Sequence, residues 1–423
     1  MSDVKELELY VHIPFCVKKC DYCDFLSFPA GEEMQRLYLT CLLKEIACYG
    51  VSMKDYQVTT IFFGGGTPSW ISAAWIRKLL QEIRENFRVK EDAEITIECN
   101  PGTLTRQKLE TYREAGINRL SIGLQSADNG ELKALGRIHT WEQFVESFDA
   151  ARDAGFYNIN VDLISGLPHQ TAESFRRTLE KVIDLKPAHI SVYSLIIEEG
   201  TPFYDRYKED LDRQKKGEQT RYLPDEDEEY RIYKLTQRML READFRQYEI
   251  SNYSRPDYPC RHNIGYWTGA EYLGLGLGAS SYTEGRRFSV VSDIDRYLEL
   301  VPKLYRVAPK LSRRIGHRLS RQLEINREEA AGLWMELHEN VEVVTTKAAM
   351  EEFMFLGLRM KEGVSALEFA RRFGRDILEV YEGPIADLIC EGLLIHEGDR
   401  FALSDQGMDL GNYCMAQFLL DEE

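Results

Sequence analysis

The sequence predicts an α/β fold built from six strand–helix units in series, followed by a smaller α+β region and a mostly helical C-terminal part. Three observations carry this. Short apolar runs of strand length alternate with helical apolar spacing from residue 7 to residue 195, as parallel strands with helical crossovers require. The runs are followed by Cys, Gly, Pro or polar residues, at the strand ends where α/β folds place function. Past residue 200 the rhythm stops.

Leu7–Ile13 is the first strand and Glu32–Tyr49 the first helix, with Leu39, Leu42, Leu43 and Ile46 on one face. Val58–Phe63 is a buried strand, and Ser72 caps the helix through Ile76, Leu79, Leu80 and Ile83. Ala93–Glu98 precedes a helix over Thr105–Ala115, ended by Gly116. Arg119–Gly123 precedes Trp141–Ala154, and Tyr157–Ile164 precedes Thr171–Leu185. His189–Leu195 is the sixth strand. Periodicity alone does not choose between a partial (β/α)6 barrel and an open doubly wound sheet.

Arg206–Arg221 is charged and short of apolar residues, which predicts a solvated, mobile connection. The acids of 225–229 open a helix reaching Ala243, where they favour the positive end of its dipole. Phe245–Glu249 reads as a further strand, and Gly274 to Gly278 as close backbone packing in another. Lys347–Met360 is an amphipathic helix; Ala366–Phe373, Asp376–Tyr381 and Pro384–Glu391 are three short ones. Leu393–His396 pairs with Phe401–Leu403 across Gly398 and Asp399. That order looks like a winged helix, but its recognition helix carries Asp387 and Glu391 with no Lys or Arg, which favours packing or partner docking over DNA reading. The expected domains are 1–240, 241–300 and 301–423.

Composition narrows the class. With 43% apolar and 29% charged residues the chain reads as globular. No run of 18 apolar residues predicts a transmembrane helix, and the polar N-terminus is not a secretory signal. Nine cysteines without such a signal point to a reducing, cytoplasmic compartment. A net charge of −17 weighs against nucleic acid as a partner.

Cys16, Cys20 and Cys23 form C-x3-C-x2-C directly after the first strand. A disulfide needs an even count and tetrahedral zinc needs four ligands. Three thiolates on one tight loop suit a cubane [4Fe-4S] cluster with one iron free of protein; three unrelated thiols, or zinc completed by a distant His, are the alternatives. Gly64, Gly65 and Gly66 let backbone approach a ligand, or merely make a tight turn. Glu98, Gln125 and Asp162 follow later strands. His262 stands near Tyr266 and Trp267, with Cys260 two residues before it.

From residue 7 to about 240 these motifs resemble the radical S-adenosylmethionine (SAM) superfamily. The resemblance implies a partial (β/α)6 barrel whose cluster, on Cys16, Cys20 and Cys23, binds SAM at its open iron. It implies that Tyr10 packs beside the cluster and SAM, and that Gly65, Gly66 and Thr67 hold the SAM amino group through backbone contacts. Glu98, Gln125, Arg137 and Asp162 match polar SAM contacts of the subgroup that includes oxygen-independent coproporphyrinogen III oxidase, with Arg137 suited to the carboxylate.

His-Asn-x-x-Tyr-Trp, here His262 to Trp267, resembles the motif of the HemW group of haem chaperones. That implies haem as a ligand, His262 as its axial ligand with Cys260 as the alternative, and the barrel mouth or the second domain as its place. It also implies haem-accepting respiratory proteins as partners and a homodimer, with peripheral membrane contact left open. Phe25 stands where the oxidase carries a further Cys, and Ser280 where the group commonly carries His. Lys310–Val341 looks like an insertion. The oxidase, and a radical SAM methyltransferase using two SAM molecules, are the competing classes.

Overall fold

In the computed structural model, which describes residues 4–307 and 320–420, six parallel strands lie side by side in chain order. They are β1 (Lys5–Ile13), β2 (Tyr56–Gly65), β3 (Arg88–Cys99), β4 (Arg119–Gln125), β5 (Ile159–Ser165) and β6 (His189–Ser194). Helices α1 (Glu32–Ser52), α2 (Ala73–Asn86), α3 (Arg106–Ala115), α4 (Asn129–Ala134), α5 (Trp141–Asp153) and α6 (Ala172–Asp184) connect them. A doubly wound sheet reverses its strand order at a switch point. Here the order runs on without reversal, as in a partial barrel.

Side chains alternate across each strand, and this separates an apolar outside from a polar inside. Leu7, Leu9, Val11 and Ile13 of β1, Leu120, Ile122 and Leu124 of β4, and Ile159, Val161 and Leu163 of β5 belong to the continuous core under the helices. The residues between them, including Tyr10, Arg119, Ser121, Asn160 and Asp162, line the barrel cavity. Thr105, Thr140 and Thr171 cap α3, α5 and α6 through their hydroxyls. Ser72 occupies the cap position of α2 but its side chain makes no capping bond.

The expected mobile connection is instead a helix, α7 (Pro202–Lys215), capped by Thr201. Phe203 and Tyr207 pack inward, and the Asp210 carboxylate accepts from the N–H groups of Arg221, Tyr222 and Leu223. A few apolar residues at helical spacing outweigh the charged average. Helix α8 (Glu226–Glu242) begins at Asp225, whose side chain caps it.

Strands β7 (Arg246–Gln247) and β8 (Asn252–Ser254) extend the sheet beyond β6. Helix α9 (Arg261–Thr268) holds the His262 motif, and β9 (Tyr272–Leu275) pairs in parallel with β1. Gly274 lies where a Cβ would collide with the backbone of Ala279 and Ser280. Strands β10 (Ser280–Thr283), β11 (Arg286–Val290) and β12 (His338–Val343) continue this edge to a twelve-stranded sheet. The last strand, in a stretch that reads as helical and hairpin sequence, thus joins the barrel sheet. Helix α10 (Ile294–Val307) packs on α1, and α11 (Ser320–Leu337) precedes β12. Residues 310–319 of the expected insertion lie outside the described residues.

The C-terminal part has its own core around Met354, Phe369, Tyr381 and Phe418. It comprises α12 (Thr346–Gly357), β13 (Val364–Ser365), α13 (Ala366–Phe373), α14 (Ile377–Cys390), the hairpin β14 (Leu394–Glu397) and β15 (Arg400–Leu403), then α15 (Asp405–Asp409) and α16 (Gly411–Ala416). Two of the expected helices merge into α14, kinked at Tyr381 ahead of Pro384. The Arg359 guanidinium, 4.4 Å from the Trp267 ring, ties this part to α9. Among the described residues no helix is long and apolar enough to cross a membrane.

Candidate functional site: a cysteine-rimmed cavity in the barrel

The loop after β1 is strapped down by main chain. Cys16 N donates to Phe28 O at 3.1 Å and Phe28 N to Pro14 O at 2.8 Å. Gly66 N donates to Ile13 O at 2.9 Å and Thr67 N to Phe15 O at 2.8 Å. The glycine turn after β2 therefore spends the N–H groups of Gly66 and Thr67 on the end of β1 and the start of the cysteine loop. Gly65 has φ 109°, and a Cβ there would lie 2.5 Å from the His12 ring. On Gly66 a Cβ would come within 2.8 Å of Phe15 O.

Cys16, Cys20 and Cys23 rim one cavity of about 610 Å³. Thr67 Oγ1 lies 3.5 Å from Cys16 Sγ, and Arg137 Nη1 lies 3.5 Å from Cys20 Sγ. Burial pushes the Cys23 thiol up. A cubane distributes its cysteines over different irons, so the donor set and its neighbouring Arg137 fit that group.

The polar residues after the later strands meet in the same cavity. Glu98 Oε2 accepts from Gly65 N at 3.2 Å, and burial, reinforced by the Asp162 charge, pushes Glu98 up to about 8. Asp162 accepts from Asn160 Nδ2 at 2.8 Å and Ser121 Oγ at 3.0 Å; burial raises it. Gln125 has φ 74° at a register shift between β4 and β5, the kind of backbone strain that clusters at ligand sites. Tyr10 packs on Phe62, with its hydroxyl 3.2 Å from His12 Nδ1. Tyr10, Gly65, Gly66, Thr67, Glu98, Gln125, Arg137 and Asp162 are thus brought together.

Two residues not singled out by sequence organise this set. Asn100 donates to Thr67 Oγ1 at 2.9 Å and accepts from Arg137 Nη2 at 2.8 Å, joining the glycine turn to the arginine. Its place directly after the third strand was the available signal. His12, 2.9 Å from Leu26 O through Nε2, braces the cysteine loop.

His262 lies on the floor of this cavity, not at its mouth. Glu94 accepts from Arg261 N at 3.1 Å and His262 N at 3.2 Å, which fixes the start of α9. The imidazole stacks on Phe62 at 5.1 Å. Its Nδ1 is 2.7 Å from Thr60 Oγ1 and its Nε2 is 3.1 Å from Tyr266 Oη. Burial, helped by the Arg119 charge, pushes it down to about 3, so the ring is neutral. Burial pushes the nearby Glu8 up to about 9, so that the 3.6 Å contact between them is not an ion pair at neutral pH. Burial holds the Cys260 thiol up at about 12, and Cys260 is not among the residues that line the cavity. Trp267 turns to Arg359 rather than into the cavity. Phe25, 69% exposed, stands on the rim.

The chain matches the Radical SAM superfamily over residues 10–182 and the HemN C-terminal domain over residues 344–410. It is 34% identical to the "Heme chaperone HemW" of Lactococcus lactis over 98% of this chain and 97% of the relative. The protein of that name from Bacillus subtilis is 33% identical over 97% and 98%, and the one from Escherichia coli is 38% identical over 68% and 73%. Among solved structures, the coproporphyrinogen III oxidase HemN of Escherichia coli superposes with a TM-score of 0.77 at 22% identity, over 98% of this chain and 90% of that one; this likeness concerns the fold.

Proposed function

The chain belongs to the HemW family of the radical SAM superfamily, and from that premise we propose that it is a haem chaperone of the cytoplasm that binds haem and delivers it to haem-dependent respiratory proteins. The observation that carries this reading is the position of His262, which the fold brings into the same cavity as the three cysteines. The relatives that match nearly the whole chain bear the name of haem chaperones.

In this reading Cys16, Cys20 and Cys23 hold a [4Fe-4S] cluster, and SAM occupies the polar ring above His262. Arg137 takes the SAM carboxylate, because its guanidinium is already fixed beside Cys20. The carbonyl side of the Gly65–Thr67 turn takes the ammonium, since the N–H groups are spent. Glu98, Gln125 and Asp162 supply the remaining polar contacts and Tyr10 packs beside them. When bound, the cluster and SAM supply one-electron reductive chemistry.

His262 is a haem ligand once Tyr266 yields Nε2; its neutral imidazole is the form that binds iron. We assign the cluster and SAM to residues 1–240, the haem motif to 241–300 and partner docking to 301–423, with a homodimer as the assembled form.

The test uses anaerobically purified, cluster-reconstituted protein. It is titrated with haem by absorbance, and incubated separately with SAM, a reductant and coproporphyrinogen III. Stoichiometric haem uptake without decarboxylated product supports the chaperone. Catalytic formation of protoporphyrinogen overturns it and shows that the oxidase does not need a Cys at Phe25.

A further inference from the structure

Arg119 opens β4 on the inward-facing row, and its guanidinium reaches into the floor of the cavity. The residue is 2% exposed. Nε has no partner, and among the described residues the side chain enters no hydrogen bond or ion pair.

Carboxylates do stand near it, but each is committed elsewhere. Glu94 receives the N–H groups at the start of α9. Asp162 receives Asn160 and Ser121. Glu98 receives Gly65 N. Burying a guanidinium without a partner is costly, and a fold that needed only internal neutrality would close an ion pair here. A fixed, unpaired, planar fork in a cavity is built for a carboxylate that arrives with a ligand.

SAM does not require this second cation, because Arg137 already stands at the cluster end of the cavity. Beside Arg119 the cavity is lined by the rings of Phe62, His262 and Tyr266, with Phe62 stacked on His262 and Tyr266 edge-on to it. An aromatic lining next to a buried cation fits a planar macrocycle with carboxylate side arms. We propose that Arg119 receives a propionate carboxylate of haem, making the cavity floor a tetrapyrrole site that recognises both the iron and the acid. This rests on the haem reading above.

The test compares haem with haem dimethyl ester, which lacks free carboxylates, on cluster-reconstituted wild-type protein, Arg119→Gln and Arg119→Lys. Wild type binds the ester at least roughly tenfold more weakly than haem, the scale of a lost charge-assisted pair. Arg119→Gln loses a similar factor for haem and little for the ester. Arg119→Lys, which keeps the buried charge but not the fork, falls between and serves if the Gln variant does not fold. Equal binding of haem and ester by wild type overturns the assignment and leaves the haem reading intact. Undiminished haem binding by Arg119→Gln with weakened SAM binding also overturns it, by giving the arginine to the SAM carboxylate. Absence of haem uptake by wild type overturns both.

Discussion

Arg137 and Cys20 are separated by 117 positions, yet Nη1 of the arginine lies 3.5 Å from the thiol sulfur. Its other nitrogen, Nη2, donates to Gly123 O at 2.7 Å and Asn100 Oδ1 at 2.8 Å. The guanidinium is therefore positioned before any ligand arrives, at the junction of cysteine loop, glycine turn and β4.

Arg137→Lys keeps the charge but not this fork. We expect SAM affinity to fall by roughly tenfold or more, with iron content after reconstitution unchanged. Calorimetry with SAM and iron analysis read the two effects separately. A parallel loss of iron would show that the arginine chiefly anchors the cysteine loop.

Gly66→Ala forces a methyl against Phe15 and Ile13 main chain. Backbone cannot swing aside as a side chain can, so the glycine turn and cysteine loop separate. Lower SAM affinity and a loss of about 1–3 kcal/mol of stability, read as a lower melting temperature, are expected. An unchanged melting temperature would show that the strap is compliant.

Tyr266→Phe removes the hydroxyl 3.1 Å from His262 Nε2. If that nitrogen binds haem iron, the variant binds haem more tightly and keeps the wild-type absorbance and electron paramagnetic signature of the bound haem. His262→Ala loses that signature. A variant His262→Ala with unchanged affinity and spectrum removes the ligand assignment.

Glu45 is fully buried between α1 and α10, accepting from Tyr297 and from Gly276 N at 3.0 Å. Burial pushes it up from 4.5 to about 7. The folded state thus holds a proton that the unfolded chain releases, so this contribution is full below pH 4.5 and is lost as pH rises to about 7. Glu45→Gln keeps an acceptor for Tyr297 and cannot ionise. Compared with wild type, its stability falls less across that window, a difference of order 3 kcal/mol at most. Parallel melting curves of the two proteins between pH 4 and 8, about the span that matters, would contradict the buried charge.

Much of this was legible from short-range pattern. The apolar rows of β1, β4 and β5 are local signals, and local signals place elements; the Ser72 cap, read from the same kind of signal, makes no capping bond. The cysteine loop and the glycine turn were readable because their chemistry demands those residue types at that spacing. What the sequence hid depends on distant partners. Arg119 looks like a surface charge opening an apolar strand, and only the barrel's inward row makes it buried. The floor position of His262 follows from Glu94 and Thr60, more than 160 residues away in the chain. Strand β12 pairs with β11 across 48 or more positions, beyond the reach of periodicity. Helix α7 was hidden by its high charge, part of which, at Arg206 and Asp210, is packed against or buried beside Phe203 and Tyr207.

The most direct test of the account is handover. Protein loaded with one equivalent of haem is mixed with an apo respiratory haem protein, or with an inert high-affinity haem trap, and transfer is followed by stopped-flow absorbance. A chaperone hands haem to the acceptor faster than it releases haem to the trap, with a rate that rises with acceptor concentration. Equal rates with both, independent of concentration, would mean passive release and would contradict the chaperone.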